Sequence, residues 1–549
     1  MLDGIGIIKA SAGLPVRDTV TKLLGSRFSR PVIYGWHVDP TVSDPAQAVT
    51  YLADAAGMTP AAMGASAFSY GSWEDAFFMP KPCMLKSDGT VAYYLDPNDY
   101  TKKADGTPSD VANSSFDGNA MMEWPLIWYK FLPGEAEGEG YFYCSDQQAD
   151  RDFKCWCNIN AADQITPHFY TAIYNASGIN KLRSLSGISL TEANGAAKVS
   201  ASALVSRAAV NDTGQTPEWS ISQLCDRLLI NALLVLLGKS LNTQQTYGFG
   251  YTSVSSVSSI STGSMNTKGL FWGSTSSQTD GVKVFGMENW WGAQYDINLG
   301  IIFANDRMLV KLTSGTADGS YTDSYNFTGR GYIDVGPVPD NSSRIDTMSF
   351  SGYGMYPKGI CQYDQDPSTV AKHYCGYLIR ASLQMPLELG NYYCTPDNFL
   401  AKGAVTIPSD RARTENQCLH LNGSYEVISH KTGIQVTNYI CKEQNGDLYV
   451  LAAHLGWHNS PWSYRSSEYT AETGSLRFAV VARDPQNDDL YTPADAGSYV
   501  TFKQNDPRLF AFGGTVYSGA KSGAFTAISL SSDLQDSANS TRLSCKPIS

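Results

Sequence analysis

The sequence predicts an α+β protein in which strands, turns and irregular loops outweigh helix. Three observations lead there. Gly 49 and Tyr 32 are abundant in a 549-residue chain, whereas long helices would favour Ala, Leu, Glu and Lys. Charged residues make up 17%, below the usual quarter of a soluble domain. Only one segment has a strong helical period, and elsewhere short apolar runs alternate with turn signals. A chain this long exceeds a single core, so roughly two to four domains are expected.

Residues 1–30 lack periodicity and read as an attachment arm. Residues 31–130 alternate aromatic runs with turns. Within them 85–95 reads as a hairpin around Asp88-Gly89, and Asp96-Pro97-Asn98-Asp99 then breaks the strand. The alanine-rich stretch 46–65 predicts one helix. The acidic, glycine-rich run 134–140 offers nothing to bury and predicts a solvated loop.

The clearest helix spans 221–237. Ser220 and Gln223 have the spacing of a capping box. Ile221, Leu224, Leu228, Ala232 and Leu236 share one face, and Gly238 supplies the stop. Leu229, Leu233 and Leu237 widen the stripe, so burial on most sides is expected. Residues 252–279, rich in Ser, Thr and Gly, predict a long loop. From 386 to 505 the texture returns to strand and turn, as at 425–428 and 448–451, which predicts a β-rich unit.

The most distinctive stretch runs from Gly281 to Gly292. Its adjacent Trp290 and Trp291, its Glu288-Asn289 pair and its three glycines fit a tightly turned core. Large rings and close backbone approach coexist there. A carboxylate buried beside two indoles needs partners, so Glu288 is expected to bond neighbouring loop backbone.

A formal net charge of -12 removes the main drive for binding nucleic acid and disfavours an anionic membrane surface. The longest apolar run, 228–237, is far too short to span a bilayer. With no targeting segment in view, assembly in the cytoplasm is expected. The 11 cysteines are scattered and are expected to be reduced and partly buried thiols, with extracellular disulfides as the alternative. Cys155-Trp156-Cys157 suits neither a zinc knuckle nor a redox pair.

The run Gly286-Met287-Glu288-Asn289-Trp290-Trp291-Gly292 resembles the Gly-x-Glu-Asn-x-Trp-Gly signature of C-type-lectin-like domains related to formylglycine-generating enzyme. Such domains display ligands' contact residues in phage tails and in proteins of diversity-generating retroelements. Other motifs are similar to family motifs and keep the family's order: 124–130, 181–187, 236–244, 353–357 with 373–377, and 512–525. Gly376 stands where the family has aspartate. The front of the chain, at 34–36, 50–52 and 84–100, resembles the leader region of tail proteins.

The resemblance covers about residues 30–385 and 505–549. It implies an attachment arm at 1–30 and a tail-attachment region at 31–130. A C-type-lectin-like domain would comprise 131–385 plus 506–549, and 386–505 would be a β-rich insertion. It further implies a tail or baseplate protein of the virion that recognises the bacterial host surface, through a protein or glycan receptor. Other tail proteins and further copies of the chain, a trimer among the options, would be its partners. Ligand contacts would come from Thr515, Tyr517, Ser518, Lys521 and Ser522. The insertion adds Trp457, Trp462 and Tyr464 as a second candidate surface. Glu288, Asn289, Trp290 and Trp291 would form the structural core.

No catalytic set stands out. Formylglycine-generating chemistry needs a reactive cysteine pair, and packing explains Cys361 and Cys375 better. His454 and His458 lack a helix and a third metal ligand. Asp96-Pro97-Asn98 reads as a turn, and nothing marks a glycosidase carboxylate pair. No catalytic residue, metal or cofactor is therefore assigned. A polysaccharide depolymerase and a purely structural virion component remain as alternatives.

Overall fold

The computed structural model describes residues 30–357 and 508–547, apart from stretches at 43, 66, 137, 191–198, 214–216, 305–306, 338–347, 520–521 and 532–537. It also describes strands between 377 and 454. The protein is β-rich with few helices. The 1–30 arm, save its last residue, lies outside the described residues. So do Trp457, Trp462, Tyr464 and Lys521.

Two sheets build the first half. A four-stranded sheet has the order 49–53, 33–38, 140–145, 128–133. A seven-stranded sheet has the order 217–221, 543–547, 168–172, 118–125, 81–86, 91–96, 99–103. Strands on both sides of residue 130 share this second sheet, and the carboxyl-terminal strand Leu543–Pro547 sits inside it. The hairpin at 81–96 forms as the Asp-Gly turn demands. The break at 96–99 is an Asx turn, with the Asn98 amide donating to Asp96 at 2.8 Å. The acidic run at 134–140 joins two paired strands. There Glu139 accepts the Glu135 and Ala136 amides at 2.9 and 3.0 Å.

The helix expected at 46–65 is absent. Val49–Ala53 is a strand paired with Ile33–Val38. Val49 and Tyr51 are buried and Thr50 between them is exposed, a period of two that the alanine content masked. Left-handed backbone at Ala53 (φ 54°) and Gly57 (φ 84°) then turns the chain.

The long helix is Leu224–Gly238, and every residue from Leu224 to Leu237 is buried. Its start is three residues later than expected, and no capping box forms. Ser220 and Ile221 are instead held as strand against Ser544 and Leu543. Gln223 becomes the cap residue without a side-chain capping bond, and Lys239 takes the left-handed exit at φ 49°. The first half of the chain wraps one flank of this helix. Trp36 donates its indole N–H to the Ala232 carbonyl at 3.0 Å, and Tyr51 reaches the Leu237 carbonyl at 3.2 Å. One continuous core joins Trp36 to Ala527 through the helix.

A third sheet runs 333–337, 307–310, 295–304, 508–512, 527–531, with 539–540 parallel to residues 295–296. Residues 252–279 are a long irregular loop with one short 3-10 turn at Val257–Ser259, as expected. The region 386–505 contains strands, including Tyr425–Ser429 and Asp447–His454. They share a five-stranded sheet with Tyr377–Ala381. No described helix is long and apolar enough to cross a membrane.

Candidate functional site

The segment around 281–296 forms a buried clamp. Lys283–Val284 and Met287–Glu288 pair as a minimal hairpin. The turn needs Gly286 at φ 81°, where a Cβ would lie 2.4 Å from the Tyr100 hydroxyl. Glu288 is fully buried and accepts the Gly263 amide at 2.7 Å and the Met265 amide at 2.9 Å. This is the loop-backbone role expected of it. Lys283, opposite it, donates to the Met265 carbonyl at 2.9 Å and lies 3.7 Å from the Tyr100 ring centre. Burial pulls the Lys283 ammonium down to about 7, against the opposing effect of Glu288. Burial raises the Glu288 carboxyl in turn. Asn289 serves differently from its neighbour. It holds left-handed backbone at φ 54°, a conformation asparagine tolerates better than most residues.

Both tryptophans are buried. Trp291 donates to the Gly248 carbonyl at 3.1 Å, and Trp290 donates to Asn231 Oδ1 at 2.9 Å. Two guanidinium groups flank Trp290, Arg227 at 4.2 Å and Arg542 at 5.6 Å from the ring centre. Arg542 bonds Asp296 at 2.9 Å and the Asn289 carbonyl at 2.7 Å, and also reaches the Glu288 and Ile173 carbonyls. Arg227 bonds the Trp290 carbonyl at 3.0 Å and the Ala524 carbonyl at 3.3 Å. One charged network thus ties the long helix, the clamp and the chain end.

Sequence reading missed this network because its members are far apart in the chain. The available signal was Asp226, Arg227 and Asn231 interrupting an otherwise apolar helix, since charges are rarely buried unpaired.

A second buried group adjoins it. Cys157, Cys225 and Asp226 bring two sulfurs and a carboxylate oxygen within 4.8 Å of one another, a donor set that could hold a soft divalent cation. Lys546 lies against them, 3.2 Å from Cys225 Sγ and 3.4 Å from Asp226 Oδ1. Its ammonium already balances the carboxylate. Burial lowers the Lys546 proton affinity, but Asp226 and the two thiols outweigh that and raise it. Cys83, Cys144, Cys155, Cys157, Cys225 and Cys545 are buried free thiols.

The end loop 513–523 is anchored on the clamp. The Gly292 amide donates to the Gly513 carbonyl at 3.0 Å, Val516 to Ala293 at 3.2 Å, and Gly519 to Thr252 at 2.9 Å. Of the expected contact residues, Tyr517 is 72% exposed, with its hydroxyl donating to the Ser255 carbonyl at 3.2 Å. Ser518 is half-buried and accepts the Thr515 amide at 2.8 Å. Thr515 and Ser522 do not belong to the surface. Thr515 is buried, and Ser522 is buried with its hydroxyl on the Gly513 carbonyl at 2.6 Å. Gly514, left-handed at φ 82°, brings the backbone so close to Ser522 that a Cβ would lie 2.5 Å from its hydroxyl. The sequence reading mistook these hydroxyls for display because small polar residues both decorate loops and cap their backbone.

No family model matches the chain, and no curated protein is similar to it at a significant level.

Proposed function

We propose that this chain is a phage or prophage tail or baseplate protein that binds the bacterial host surface without catalysing a reaction. The reader would be the surface formed by Tyr517 and the adjoining 251–260 loop. The observation that carries this reading is the Tyr517 ring itself. It stands exposed on a loop fastened at both ends to a rigid core, with its hydroxyl tethered to Ser255. A fixed amphipathic ring among serine hydroxyls can contact a partner at small entropic cost. Between residues 240 and 282 the only charged residues are Lys268 and Asp280, so contact there depends on shape and hydrogen bonding.

The test is adsorption of the purified full chain to host cells. Tyr517→Ala should lower adsorption at least about tenfold, as for an interface anchor, while the thermal unfolding midpoint stays unchanged. Truncating the last forty residues is not a usable probe, because it removes Arg542 and the strand Leu543–Pro547. Retained adsorption by Tyr517→Ala would instead favour a structural virion component. Sugar released from host envelope would favour a depolymerase.

A further inference from the structure

At the amino-terminal end of the long helix lies a small pocket where Gln223, Asp226, Arg227, Asn298 and Arg542 meet the Trp290 ring and neighbouring apolar surface. It offers about 10 Å³ to the centre of a water-sized body, room for one such body. Two groups on its wall have unused donors. Gln223 Nε2 has no hydrogen-bond partner, and neither do Arg227 Nε and Nη1, although both residues are buried.

The charges here do not balance. Three cations meet two carboxylates. Lys546 is matched by Asp226 at 3.4 Å, and Arg542 by Asp296 at 2.9 Å. Arg227 has only a share of Asp296, at 3.5 Å. Glu288 supplies no spare carboxylate, because Lys283 lies opposite it across the hairpin. Asp226 is already taken on both oxygens, by Lys546 and by the Ser544 hydroxyl at 3.0 Å. A buried cation without a full partner is strongly unfavourable. The Trp290 ring under Arg227 offsets only part of that.

A water molecule would satisfy the idle N–H groups and leave the charge. A monatomic anion would satisfy both, and the pocket excludes anything much larger. The positive end of the helix dipole, at the Gln223 cap, favours the same sign of ligand. We propose that one halide ion, chloride under ordinary conditions, binds in this pocket between Arg227 and Gln223 and completes the network around Trp290. The inference is independent of any receptor-binding role.

Thermal unfolding of the full chain should be followed in sodium bromide and in sodium gluconate at equal ionic strength. Bound halide stabilises the folded state by mass action, so bromide at about 100 times its dissociation constant lowers the unfolding equilibrium constant about 100-fold. The midpoint should rise with the logarithm of bromide concentration above the dissociation constant and stay flat in gluconate. Gln223→Glu keeps the oxygen that accepts the Tyr325 hydroxyl at 3.1 Å and places a fixed negative charge beside Arg227. That variant should lose the bromide response and exceed the wild-type midpoint in gluconate. An equal bromide response in the variant would mean a general salt effect and overturn the proposal, as would a flat wild-type response. Should the variant fail to fold, wild-type crystals in bromide decide. An anomalous peak beside Arg227 supports the site, and density that refines as water overturns it.

Discussion

The clamp at 281–296 and the end loop at 513–523 are both punctuated by glycine and both rich in polar groups, yet they use those groups in opposite ways. In the clamp, polar side chains point inward and bond partners outside the segment, from Met265 on Lys283, 18 residues away, to Arg542 on Asp296, 246 residues away. In the end loop, Thr515, Ser518 and Ser522 bond backbone or hydroxyls of the same loop, three to nine residues away. The clamp therefore holds separate parts of the chain together. The loop holds its own shape and leaves one large side chain, Tyr517, outside. The small residues hold the loop's shape, and the ring they support is what the proposed receptor contact would use.

Four substitutions break or sharpen that contrast. The largest effect is expected from Asp296→Ala, which strands two buried guanidinium groups. Loss of one partner from a buried charged set costs about 3–5 kcal/mol, read as a drop in the urea unfolding free energy. A loss below about 1 kcal/mol, the worth of a surface pair, would mean that the network is not what joins the chain ends. Glu288→Gln comes next. It weakens two charge-assisted bonds to the 263–265 backbone and leaves Lys283 without its opposite charge, for about 1–3 kcal/mol by the same measurement.

The third is visible as a pH dependence. Folded Lys283 titrates near 7, whereas unfolded lysine titrates in its ordinary, higher range. Between those values the unfolded chain holds a proton that the folded chain has released. Stability from this site should rise as pH climbs from about 7 towards the ordinary lysine range. In Lys283→Met, denaturant midpoints across that window should lose this rise; an unchanged slope would show that another group titrates. The smallest effect belongs to Tyr517→Ala, expected to stay within about 0.5 kcal/mol of wild type, as at other exposed sites. A larger loss would make Tyr517 a structural member of the loop and erase the contrast.

Local signals in the sequence were legible where neighbours in the chain are also neighbours in space. The Asp88-Gly89 hairpin and the apolar run of the long helix follow from residues close by, and the need of Glu288 for backbone partners follows from its adjacent indoles. Errors arose where a distant strand overrode a local preference. Ser220 and Gln223 have capping-box spacing, but pairing with Leu543–Pro547 holds Ser220 extended. Alanines at 46–65 favour helix, but Ile33–Val38 recruits Val49–Ala53 as a strand. The end-loop hydroxyls were ambiguous for another reason, because the same residue type serves a surface or a turn.

By itself the sequence determined where apolar faces, turns and tight backbone must lie, since these depend on side-chain type and spacing along a few residues. Tertiary structure decided which polar groups are buried, because a charge can leave water only when partners arrive from elsewhere in the chain. Arg227, Asp296 and Arg542 belong together for that reason. Folding also decided that Tyr517, alone among the described candidates, stands clear of the core.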